Sequence, residues 1–171
     1  MNNNFDTKKL VYAGLFLALG ILLPQVFHFI PVGPNAGKMF LPMHIPVLLA
    51  GFMVGPMAGL LVGVMSPILS FAFFGMPPVF LLPAMVFELA AYGLVSGILN
   101  KNIKSVYLSL TLTLIVGRVV SAVMYVVLIN LFGLKMLSME VFFASLVMGL
   151  PGIAIQLVLI PVLVKRIKVN V

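Results

Sequence analysis

The chain contains no cysteine and no tryptophan, and among 171 residues only three are acidic and two are histidine. Without cysteine there is neither a disulfide framework nor a thiolate metal site, and two histidines are too few for a metal cluster without carboxylate help. No GxSG element with a partnering histidine, no HExxH, no intramembrane aspartate pair and no Walker loop occurs, which disfavours an enzyme and an ATPase on this chain. Charge is scarce as well, at 8% of residues.

Apolar residues fill the space these absences leave. They make up 63% of the chain and the mean hydropathy is +1.29, which excludes a domain with a water-facing surface. The polar opening MNNNFDTKKL leads into a long apolar run with no small-residue cleavage site, so the first run is expected to be a retained helix rather than a signal peptide. Apolar runs predict helices over about 10–30, 40–54, 57–74, 79–99, 106–132 and 141–164, an all-α membrane bundle of six spans forming a single domain over 1–171. Gly55 and Pro56 supply the stop and restart between the second and third.

The net charge of +7 is distributed by topology rather than in a nucleic-acid-binding patch. In the six-span reading Lys8, Lys9, Lys101, Lys104, Lys165, Arg166 and Lys168 share one side, whereas Lys38 and Lys135 fall on the other. The positive-inside rule then puts both termini in the cytoplasm of a multi-pass plasma-membrane protein.

Two ionisable residues lie deep inside predicted spans. Glu88 and Arg118 come at nearly equal depth on helices joined by a short loop, and an unpaired charge there costs about 2.5 to 3.5 kcal/mol even on the lenient insertion scale. They are expected to meet as an ion pair, as a pin between helices, as a ligand contact, or as both. Helical spacing adds Tyr92 beside Glu88, and Ser121 and Tyr125 beside Arg118. Asn35, Lys38 and His44 belong to the outer rim, where each is open to a solvated or backbone-bonding role as well as to a ligand. Gly51, Gly55, Gly59 and Gly63 recur every four residues and predict a tight helical hairpin.

The loop GPNAGKMF, the run LPMHIPVLLAGFMVGPMAGLLVGVMSPILS, the GMPP loop and FELAAYGLVSGIL, in this order over the whole chain, resemble the substrate-binding S component of an energy-coupling factor (ECF) transporter. The resemblance implies capture of a water-soluble vitamin or related micronutrient, with no cofactor on this chain. Uptake would be energised by a transmembrane coupling subunit and two ATPase subunits that use ATP. It implies docking to that module through small residues of the first helix, here Gly14 and Ala18, where the family pattern has alanine at both places. It also implies a ligand region that includes Asn35, Lys38, Phe74, Glu88, Tyr92, Arg118 and Tyr125, with His44 nearby. Lys38 and Arg118 suit a carboxylate such as pantothenate, which is slightly favoured. Riboflavin, folate, a pyridoxine-like ring and a cobalamin-type ligand stay open. The competing reading is a stand-alone proton-coupled carrier that uses Glu88.

Overall fold

The computed structural model describes residues 7–29, 36–133 and 137–167, and among them the chain is helical, without strands. The elements are α1 (Thr7–Phe29), α2 (Ala36–Phe40), α3 (His44–Met53), α4 (Pro56–Phe74), α5 (Leu82–Asn102), α6 (Val106–Phe132), α7 (Met139–Met148) and α8 (Leu150–Arg166). Four segments are long and apolar enough to cross a membrane: Thr7–Val26, Pro56–Phe74, Leu82–Asn102 and Val106–Leu131. The α7–α8 pair, bent by 47°, qualifies as a fifth when taken together.

One expected helix starts late and another is interrupted, each for a local reason. In place of one helix over 40–54, the five-residue α2 is followed by Leu41 at a positive φ of 49° and then by Pro42, which has no N–H to continue a helix. The ten residues of α3 make about 15 Å of helix, half the thickness of a hydrocarbon core. In place of one helix over 141–164, the chain breaks at Gly149 and restarts at Leu150, with Pro151 in the first turn of α8.

Helix ends follow the side chains available to them. Ser105 and Ser138 cap α6 and α7 by accepting from the N–H groups of Leu108 and Val141 at 3.4 and 3.2 Å. Gly55, at φ 125°, makes the turn between α3 and α4, a conformation that a side chain would strain, and Pro56 starts α4 where its missing N–H costs nothing.

The short α3 is the centre of the bundle. His44 and every residue from Pro46 to Phe52 are buried, and Val47, Leu48, Leu89, Tyr92, Leu110 and Ile160 close a core around it. Beside α3, α4 and α5 meet along a seam of glycines. A Cβ on Gly93 would run into the backbone of Gly59, one on Gly63 into the carbonyl of Leu89, and one on Gly97 into Pro56. The expected glycine contact between the second and third predicted helices is present where Gly59 meets Gly51, but the closer partner of the repeat is α5.

The far end of α5 ties into the same end of the bundle as the end of α8. Asn100 donates to the carbonyl of Phe52 at 2.9 Å, and the Lys165 ammonium lies 5.2 Å from the centre of the Tyr107 ring. A second cluster, Ala84, Tyr125, Leu128, Leu137 and Phe142, packs the opposite end, where α5 begins and α6 meets α7.

Candidate functional site

At that opposite end the helices splay around a partly open cavity of about 410 Å³. Its wall comes from α1 at Pro24, from the α2–α3 corner at Lys38 to His44, and from Ser70 near the end of α4. The loop at Met76 to Pro78, the first half of α5, α6 and α7 complete it. Apolar and proline side chains form most of the surface, with a few convergent polar groups, the composition of a small-molecule site.

The polar groups are organised around Glu88. Arg118 Nη1 lies 3.0 Å from Glu88 Oε1, and His44 Nε2 lies 3.6 Å from the same oxygen. His44 and Glu88 are buried and Arg118 is half-buried, so in the low dielectric of the bundle removing either the carboxylate or the guanidinium would strand the other charge. Each residue comes from a different helix, so the pair joins α5 to α6 and His44 brings in the first turn of α3. Several polar atoms are left over: among the described residues, His44 Nδ1 and Arg118 Nε and Nη2 are buried with no hydrogen-bond partner. Buried donors in this condition are uncommon and mark places where a further group belongs.

The seam explains why these groups meet. Glu88 precedes Leu89, whose carbonyl lies against Gly63, so direct backbone packing on α4 fixes the height of Glu88. One turn along α5, the Tyr92 ring fills the space beside Gly117, immediately before Arg118. A Cβ on Gly117 would overlap that ring, so the glycine lets α6 come close enough for the ion pair.

Of the residues named from the sequence, Lys38, His44, Glu88, Arg118 and Tyr125 line the cavity, as does Ser121. Tyr92 does not; it is buried, with its ring tilted 58° to that of His44 at 5.4 Å between centres. Phe74 is also outside the wall, because the last turn of α4 directs it outward, 46% exposed and edge-on to Phe73. Asn35 lies outside the described residues. On α1, Gly14 and Ala18 are exposed, and the space a Cβ would take at Gly14 is open.

Sequence reasoning missed three features. The approach of His44 to Glu88 crosses between helices with no spacing rule to announce it. Gly93 and Gly97, four apart on α5, complement the glycines of α4 and carry the same signal as the noted repeat. Gln156, within the last predicted span, is fully buried with neither side-chain polar atom hydrogen-bonded, and the rule that singled out Glu88 could have found it. No group of three or more histidine, cysteine, aspartate or glutamate residues that could hold a metal ion occurs among the described residues.

A family model described as ECF transporter, substrate-specific component, matches residues 8–164, nearly the whole chain. Comparison with curated proteins and with solved structures gives no match.

Proposed function

Because the chain belongs to the substrate-specific components of ECF transporters, we propose that its cavity captures a water-soluble vitamin or related micronutrient for import. Such components are the substrate-binding subunits of a transporter rather than enzymes. The observation that carries the reading is the cluster of Glu88, Arg118 and His44, ionisable groups from three helices, two of them buried and Arg118 half-buried, on the wall of one cavity. Burial of this kind is costly within a membrane and is found where a substrate path or site requires it.

Six crossings, counting the shorter apolar stretch Gly37–Met53 as one, with both termini in the cytoplasm and the cavity facing outward, fit the distribution of charge. Lys101, Lys104, Lys165 and Arg166 lie toward the end away from the cavity, and Lys38 lies at the cavity itself. Lys38, His44, Glu88, Arg118 and Tyr125 contact the ligand, with Asn35 as a rim contact. Tyr92 serves the site from beneath by positioning Glu88 and Arg118. The exposed face at Gly14 and Ala18 docks on a transmembrane coupling subunit, and two ATPase subunits on other chains supply the energy. A stand-alone proton-coupled carrier would have to free Glu88 from Arg118 in every cycle, and family membership favours the first reading.

Native mass spectrometry of the detergent-purified chain tests the proposal. One small organic molecule bound per chain is the expected result. Empty protein, both as purified and after exposure to a vitamin panel, would contradict it.

A further inference from the structure

The charges around the cavity specify more than a vitamin in general. Lys38 and Arg118 are cations on its wall, and Glu88 is the one carboxylate that lines it. The sequence has two other acidic residues; Glu140 is exposed at the start of α7, off the wall, and Asp6 lies outside the described residues. Glu88 is committed to Arg118 at 3.0 Å, which leaves Lys38 without an ion-pair partner among the described residues. Among the described residues the wall therefore carries one positive charge in excess. A ligand desolvated here is favoured when it brings a single negative charge.

The rings around the cavity restrict the rest of the ligand. His44 and Tyr125 are the ring-bearing side chains on the described wall, and both are already engaged by other rings. His44 packs on Tyr92 at 5.4 Å, and Tyr125 meets Phe142 edge-on at 5.2 Å. Among the described residues no pair of free aromatic faces lines the cavity to sandwich a flat ring. Flexible Met43, Met76 and Met85 line the same space, with the hydroxyls of Ser70, Ser121 and Ser145 between apolar surfaces. Thioether side chains adapt to an irregular aliphatic body, and the hydroxyls pair with amide or hydroxyl groups on it.

Resting on the capture reading above, we infer that the ligand is a small organic monoanion, an acid with a flexible aliphatic body bearing hydroxyl or amide groups, whose charge is met by Lys38. Flat aromatic rings and cations are selected against by the same wall.

Calorimetric titration of the full chain in detergent tests this with matched probes. Pantothenate, lipoate and biotin are each paired with a neutral counterpart, panthenol, lipoamide and biotinamide, and riboflavin and thiamine serve as ring and cation probes. At least one acid is expected to bind, with its neutral counterpart weaker by roughly tenfold to a hundredfold, the value of a charge-assisted contact. Lys38→Gln should bring the affinity for that acid down to about that of its neutral counterpart. Lys38 lies exposed on a five-residue helix, so this variant does not test folding. Binding of riboflavin or thiamine without any acid would overturn the inference and leave capture standing. Equal affinity of acid and counterpart, or an acid indifferent to Lys38→Gln, would overturn it as well. Silence from every probe would overturn the inference, while the capture reading stands or falls by the native mass spectrometry above.

Discussion

The α4–α5 seam and the cavity are neighbours on the same helices, yet they are built on opposite terms. Along the seam, Gly59, Gly63, Gly93 and Gly97, with Gly51 of α3 beside them, remove side chains so that backbone meets backbone. A turn or two further on, the same helices separate around about 410 Å³ of space and place ionisable groups on its wall. The difference shows where rigidity is needed. Adjacent helices that cannot slide hold Glu88 at a fixed height, and the ion pair and the cavity can then form without a polar network of their own to position them.

The largest effect is expected from breaking the charged side of this comparison. Arg118→Ala would leave Glu88 buried without its cation and should cost about 3 to 5 kcal/mol of stability, read as loss of folded protein in detergent unfolding. Adding Glu88→Leu should restore most of that stability without restoring ligand binding. A double variant as unstable as Arg118→Ala would show that the pair is not the cause. On the seam, Gly93→Ala forces a Cβ against the Gly59 backbone and should cost about 1 to 3 kcal/mol in the same assay, with binding lost in proportion to unfolded protein.

Gly117→Ala sits at the boundary and sharpens the distinction. The added methyl displaces Tyr92, and the expected loss is about 1 kcal/mol in stability with about a tenfold loss in affinity of the folded fraction. Unchanged affinity would separate Tyr92 packing from the geometry of the site. The smallest effect on folding is predicted for Lys38→Cys and Lys104→Cys, made singly in a chain with no native cysteine. In whole cells an impermeant thiol reagent should label position 38 and spare position 104; the reverse would invert the proposed orientation.

Much of this comparison is legible in the sequence. Equal depth along neighbouring spans was enough to anticipate the Glu88–Arg118 contact, since a charge deep in an apolar run calls for a partner and only one was at hand. The glycine repeat announced a close approach but not its main partner, because spacing within one helix does not say which neighbour it faces. The breaks at Leu41 and Gly149 were hidden in runs apolar enough to read as continuous, and prolines in membrane helices do not always interrupt them. Phe74 was drawn into the ligand region by its place beside a loop. The direction of the last turn of α4, which turns it outward, depends on how α4 packs and not on local sequence.

The central claim is that the space bounded by Glu88 and Arg118 holds the ligand. Ser145 lines that space from α7 and donates to the carbonyl of Phe142 at 2.7 Å, so Ser145→Cys is a near-isosteric reporter in a chain without other thiols. Its rate of modification by a small methanethiosulfonate should fall sharply when the co-purifying molecule is bound and recover when that molecule is removed. A rate that stays the same while the molecule is bound would place the ligand elsewhere and contradict the account.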